Sequence, residues 1–77
     1  LGVALRTKGD LDGAIESYRR ALAINPRYVR AYNSLGVALM HKDDLDGAIE
    51  AFRLAVAVEP KYALAHCNLG ECLRKQG

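Results

Sequence analysis

Apolar residues recur along the chain with the spacing of α-helices, and polar breaks separate five such segments. One predicted apolar face has the spacing i, i+3, i+4 and i+7 and consists of Tyr32, Leu35, Gly36 and Leu39. No segment of the sequence shows the period of two that indicates a half-buried strand. The pattern predicts an all-α protein, with helices near residues 1–8, 12–25, 30–42, 46–59 and 64–75.

Residues suited to helix ends flank the predicted helices. Asp44 precedes the apolar run of residues 46–59 and is predicted to be its N-cap, while Asp46 adds a negative charge that the helix dipole favours. Pro60 ends the run, because proline cannot continue the helical hydrogen-bond ladder. Asp10 and Pro26 hold the same two positions in the preceding segment and predict a second capped and terminated helix.

The chain repeats itself with a period of 34 residues. When residues 1–28 are placed on residues 35–62, 18 of the 28 pairs are identical, far more than chance gives. Residues 63–77 start the pattern a third time. We therefore expect one repeat domain over residues 1–77, divided into a partial repeat (1–28), a complete repeat (29–62) and the first helix of a third (63–77).

Small residues occupy the apolar stripes where two helices of a repeat would meet. A glycine inside a helix costs about 1 kcal/mol, so the recurrence of Gly2, Gly36 and Gly70 needs a compensating contact. Small residues at facing positions allow close helix packing. The sequence predicts that Gly36 and Ala48 face each other.

The repeated residues resemble the tetratricopeptide repeat family in both pattern and period. The matching positions in the complete copy are Leu35, Gly36, Leu39, Ala48, Phe52, Ala55 and Pro60. The sequence departs from the family pattern in two ways. Tyr32 and His66 stand where the family often has tryptophan, and Asp43 replaces a glycine of the turn between the helices.

The resemblance implies a right-handed α-solenoid of antiparallel helix pairs, here about two and a quarter repeats of a longer protein. In this family the first helices line a concave groove that binds peptides or protein segments, and the repeats carry no chemistry of their own. The chain is accordingly expected to be a non-catalytic interaction module with a protein or peptide ligand.

Helical phase assigns the groove to the side of each first helix opposite its apolar stripe. Basic side chains outnumber acidic ones on this surface, which suits an acidic or mixed extended peptide. The competing interpretation is an ordinary solvated helix face. The candidate residues are Arg6, Arg30, Asn33, Val37, Met40, His41, Cys67, Glu71 and Arg74.

Two specialised groove chemistries of the family were compared with these positions. The clamp for a C-terminal carboxylate needs lysine, arginine and asparagine at places held here by Val3, Ser34, Leu64 and Asn68, and none of these matches. The asparagine ladder that holds a peptide backbone is matched by Asn68, whereas Ser34 departs from it.

Composition narrows the class of partner. The 77 residues are 51% hydrophobic and carry a net charge of +2, which gives no electrostatic case for nucleic acid or an anionic membrane. The longest apolar runs are far shorter than the roughly 20 residues of a membrane-spanning helix. Cys67 and Cys72 predict ordinary thiols in a reducing, cytoplasmic compartment, and no ligand set indicates a metal or cofactor.

Two alternatives to a peptide-binding module stay open. The chain could be an assembly unit, a homo-oligomer formed through open repeat ends, because stacked repeats bury their cores only against neighbours. It could also be the repeat region of a larger enzyme, such as a glycosyltransferase or a protein kinase. No activated nucleophile or acid–base pair is visible within these residues.

Overall fold

The chain folds into four α-helices in a computed structural model, which describes the backbone of residues 8–76 and the side chains of residues 10–76. Helix α1 spans Lys8–Ile24, α2 Val29–His41, α3 Leu45–Val58 and α4 Ala63–Gln76. No strand occurs over residues 8–76. The all-α prediction is confirmed, and α2, α3 and α4 begin and end within one residue of the expected positions.

The start of α1 differs from the prediction. The helix begins at Lys8 rather than near residue 12, so Asp10 lies inside the first turn and is not the N-cap. Gly9 has no positive φ and lies within α1. Asp43, the equivalent residue one repeat later, has a positive φ and lies in the turn after a helix. The helix predicted over residues 1–8 lies outside the described residues except for Lys8, which belongs to α1.

A tight turn joins α2 to α3. Asp43 has a φ of 67°, a left-handed conformation that aspartate tolerates better than most side chains. The Asp44 N–H then donates to the Leu39 carbonyl at 2.8 Å, and the Asp44 carboxylate accepts from the Gly47 N–H at 3.1 Å. The predicted N-cap at Asp44 is confirmed, and the turn directs α3 back along α2.

Each helix packs against the next, and α2 contacts all three others. Its centre lies in one hydrophobic core that also includes Leu11 and Ile15 of α1, Phe52 of α3 and Cys72 of α4. The 34-residue period is visible in space as well as in sequence. Lys42, the residue directly after α2, donates to Asp12 of α1, and Gln76 of α4, 34 residues later, donates to Asp46 of α3.

Helices α2 and α3 lie close together at Gly36. A Cβ atom placed on Gly36 would lie 2.5 Å from Cε1 of Phe52, and its three nearest atoms all belong to that ring. The residue nearest to Gly36 is thus Phe52, and the expected contact between Gly36 and Ala48 stays a prediction. A phenylalanine ring extends further from its backbone than an alanine methyl group does. Both Phe52 and Ala48 are completely buried.

We predict that Gly36→Ala destabilises the protein by about 1–2 kcal/mol, because overpacking against the buried ring outweighs the gain in helix propensity. The matched control is Gly13→Ala in α1, where an added Cβ meets nothing within 4 Å. Its helix propensity gain should stabilise the protein by up to about 1 kcal/mol. Urea unfolding followed by circular dichroism measures both, and equal effects at the two sites would contradict the packing argument.

The cap at Asp44 provides a second prediction. Asp44→Ala removes the acceptor of the Gly47 N–H and should cost about 1 kcal/mol. Asp44→Asn keeps a side-chain oxygen at the cap and should retain most of that stability. The same unfolding measurement tests both variants. Equal losses in the two variants would show that the charge, and not the capping hydrogen bond, stabilises the helix start.

Candidate functional site

Helices α2 and α4, the first helices of successive repeats, lie side by side. The Asn68 Nδ2 donates to Asn33 Oδ1 at 3.1 Å, and the Cys72 thiol lies 3.2 Å from the Met40 sulfur. Both pairs advance along the two helices in the same direction, so α2 and α4 run parallel. The side chains beside these contacts form one surface, called here the α2/α4 face.

The structure places eight of the nine predicted groove residues on α2 or α4, and Arg6 lies outside the described residues. Three of the eight, Asn33, Val37 and Met40, are half-buried, and Met40 packs against the core beside α4. The other five side chains are exposed: Arg30, His41, Cys67, Glu71 and Arg74.

The charge on the α2/α4 face is mostly positive. Arg30 lies near the start of α2, whereas Arg74 and the neighbouring Lys75 lie near the end of α4, with Glu71 one turn before them. The two ion pairs found in the described part of the chain lie elsewhere. They join Arg20 to Glu16 at 2.9 Å and Lys42 to Asp12 at 2.6 Å. The cations of this face are therefore exposed and not held by a carboxylate.

Two cavities follow the junction of α1 and α2, and we call the surface that they form the α1/α2 trough. The larger, of about 340 Å³, is bordered by Tyr18, Arg30 and Ser34 among others. The smaller, of about 140 Å³, is bordered by Tyr18, Asn33 and Val37 among others. The sequence analysis did not predict this trough. The relevant signal is that α1 occupies the same position in the 34-residue repeat as α3 does.

A third cleft, of about 390 Å³, opens on the opposite side of the molecule. Leu35 and Leu39 of α2 form its floor, and Arg19 and Glu50 lie on the walls made by α1 and α3. The cleft exists because the backbones of α1 and α3 lie apart, with no Cα atoms of the two described helices within 8 Å of each other. Periodicity along one helix says nothing about the gap between two others, so the sequence did not indicate it.

The two thiols have different environments. Cys67 is exposed and Cys72 is buried, because five residues along a helix turn the two side chains about 140° apart. Burial raises the pKa of the Cys72 thiol, Lys75 lowers it and Glu71 raises it. No group of three His, Cys, Asp or Glu side chains comes together as a metal site over the described residues. The α2/α4 face presents amide groups, charged groups and apolar side chains.

The comparisons with known proteins agree with this geometry. The family model for the TPR repeat matches residues 2–43 and again residues 38–77. The chain belongs to the tetratricopeptide repeat family. TPR repeats generally mediate protein–protein interactions and scaffolding and are typically non-catalytic. A search of curated proteins found no significant match to this TPR chain. Over residues 8–76, no helix has both the length and the apolar character needed to cross a bilayer.

The thiol environments of the TPR chain lead to a third prediction. Iodoacetamide at mildly alkaline pH should alkylate Cys67 quickly and Cys72 only when the protein unfolds, because the thiolate is the nucleophile and Cys72 is buried as a neutral thiol. A pKa raised by folding also means that stability is lost as pH rises above the unfolded thiol's pKa. Peptide mapping by mass spectrometry measures the alkylation rates of Cys67 and Cys72. Equal rates in the folded protein would contradict the assignment of Cys72 as the protected thiol.

Proposed function

We propose that this TPR chain is a non-catalytic interaction module that binds an extended, acidic protein segment along the α2/α4 face. The observation that carries the proposal is the hydrogen bond between Asn33 and Asn68, because it holds two parallel helices side by side. Side chains from two successive repeats are thereby available to one ligand. A cytoplasmic location is part of the proposal, since Cys67 and Cys72 are free thiols.

The asparagine pair supports recognition of a peptide backbone. A carboxamide has two N–H donors and one acceptor oxygen, and the bond between Asn33 and Asn68 uses only one donor and one oxygen. The Asn68 oxygen and the Asn33 amino group keep capacity for the N–H and C=O groups of a bound segment. Backbone contacts of this kind give affinity without requiring one ligand sequence.

The separation of the cations sets the spacing of acidic groups in the ligand. Arg74 corresponds to position 40 of α2 in the 34-residue register, so it lies ten residues along the helix direction from Arg30. At 1.5 Å per residue this amounts to about 15 Å. An extended peptide advances about 3.3 Å per residue, so two acidic residues about five positions apart in the peptide have the same separation as Arg30 and Arg74. Val37, half-buried between the cations, offers an apolar contact.

The proposal predicts selective binding of short peptides that carry two Asp or Glu residues about five positions apart. Arrayed peptides of this kind should bind the purified chain, whereas the same peptides with Asn or Gln at those positions should bind less well. Added salt should weaken the binding, because exposed charges are screened. Fluorescence titration of the best peptide then provides a dissociation constant.

Three matched variants test which surface binds. Arg30→Ala and Arg74→Ala should each raise the dissociation constant by up to about fivefold, the range of an exposed charge pair. Arg53→Ala on the exposed side of α3 is the control and should leave it unchanged. If Arg53→Ala alone weakens peptide binding, while Arg30→Ala and Arg74→Ala bind normally, the binding site lies on the exposed side of α3 and not on the α2/α4 face. Equal binding of the acidic and neutral peptides would refute the charge argument.

A further inference from the structure

The cleft of about 390 Å³ between α1 and α3 is called here the α1/α3 cleft. The residues that border it lie between Arg19 and Leu54 in the sequence and belong to α1, α2 and α3. They share no residue with the α2/α4 face. Helix α2 lies between the second helices of two successive repeats and contacts both, so the floor of the cleft is complete within the described chain.

The interior of the α1/α3 cleft is apolar on three sides. Leu35 and Leu39 form the buried floor. Leu22 of α1 and Leu54 of α3 lie on the opposite walls, and Leu54 is 42% exposed. The cleft has the volume of a small ligand site, so it has room for more than one leucine-sized side chain.

Leu54 marks a difference between the two repeats. The residue 34 positions earlier is Arg20, which pairs with Glu16 at 2.9 Å. At the same two positions α3 has Leu54 and Glu50, which cannot form that ion pair. A leucine therefore lies exposed where the preceding repeat has a solvated charge, and Glu50 has no ion-pair partner among the described residues.

Opposite charges lie on the two walls of the cleft. Helices α1 and α3 both run antiparallel to α2, so they are parallel to each other. Arg19 corresponds to Arg53 in the 34-residue register, which is three residues or about 4.5 Å along the helix from Glu50. Arg19 also has no ion-pair partner in the part of the chain that the structure describes. The two exposed charges thus lie at nearly the same level on either side of the apolar floor, where each can pair with a ligand.

We propose that the α1/α3 cleft binds an amphipathic α-helix of a partner protein, which places two leucine-sized side chains in the cleft. Along α3 the cleft extends from Gly47 to Leu54, which amounts to about 10 Å at 1.5 Å per residue. Apolar side chains at positions i and i+4 of a helix are about 6 Å apart along its axis, so both fit. Docking of an apolar helix face into a groove is a recurring mode of peptide recognition.

The charges of the cleft select the residues beside these two apolar side chains. At about 100° per residue, positions i+1 and i+3 lie on opposite flanks of the stripe made by i and i+4. An acidic residue on one flank pairs with Arg19, and a basic residue on the other flank pairs with Glu50. The preferred ligand therefore has the order apolar, acidic, any residue, basic, apolar. Exchanging the acidic and basic residues only reverses the direction of the bound helix.

Three fluorescently labelled helical peptides test the proposal by titration with the 77-residue chain. They share two leucines four positions apart and differ only at the two flanking positions, which carry Glu and Lys, two Glu, or two Lys. The mixed peptide should bind most tightly. Each single-sign peptide should have a dissociation constant about fivefold or more higher, because one attractive charge pair becomes repulsive.

Two leucine-to-arginine variants locate the binding site. Leu54→Arg introduces the residue that the preceding repeat has at this position, so it removes an apolar wall and gives Glu50 an i+4 partner. It should raise the dissociation constant of the mixed peptide about tenfold or more, while helix content and unfolding midpoint by circular dichroism stay unchanged. The control Leu64→Arg makes the same change at an exposed leucine of α4 that corresponds to Arg30, and it should bind like the unmodified chain.

A charge reversal tests which wall contacts which flank. Arg19→Glu makes both walls acidic, so the peptide with two Lys residues should become the tightest ligand. A purely structural role of Arg19 would weaken the binding of all three peptides without changing their order.

The proposal is overturned if the mixed peptide does not bind, or if the three peptides bind with equal affinity. Equal effects of Leu54→Arg and Leu64→Arg overturn it as well, and so does an unchanged order of the peptides in Arg19→Glu. None of these measurements depends on the α2/α4 face, so this proposal and the binding of an acidic extended segment can fail separately.

Discussion

The contact between the backbone at Gly36 and the ring of Phe52 is the constraint on which the other contacts depend. Any side chain at Gly36 would overlap a ring that is completely buried, so α2 and α3 can pack at this distance only with glycine there. Since α2 also contacts α1 and α4, its position relative to α3 fixes the positions of both. The absence of a side chain at this one position thus determines the spacing of a four-helix stack whose core consists mostly of alanine, leucine and isoleucine.

The candidate binding surface follows from that spacing. Close packing of α2 on α3, and of α3 on α4, leaves α2 and α4 parallel and near enough for Asn33 to accept a hydrogen bond from Asn68. Exposed cations then lie toward opposite ends of one face, at Arg30 and Arg74.

Local signals predicted the helices well, because an N-cap at Asp44 and prolines after α1 and α3 act within a few residues of the ends that they define. The start of α1 was missed because the break depends on whether one residue adopts a positive φ, as Asp43 does and Gly9 does not. The close contact of Gly36 with Phe52 was not predicted for a different reason. The apolar stripe on α3 was correct, but the length of each side chain decides which residue of the stripe lies nearest to Gly36. The pairing of Asn33 with Asn68 depends on the lateral offset of two helices, which periodicity along either helix does not contain.

A double-mutant cycle between Gly36→Ala and Phe52→Leu tests the central contact most directly, with free energies of unfolding measured by urea denaturation. Leucine at position 52 removes two of the three atoms nearest to an added Cβ, Cε1 and Cζ, and its remaining Cδ atoms can rotate away, so the cost of Gly36→Ala should fall in that background. The expected coupling energy is about 1 kcal/mol or more, within the range observed for residues in contact. Free-energy changes that add to within about 0.5 kcal/mol would show that the glycine is not required by the ring, and would contradict the account.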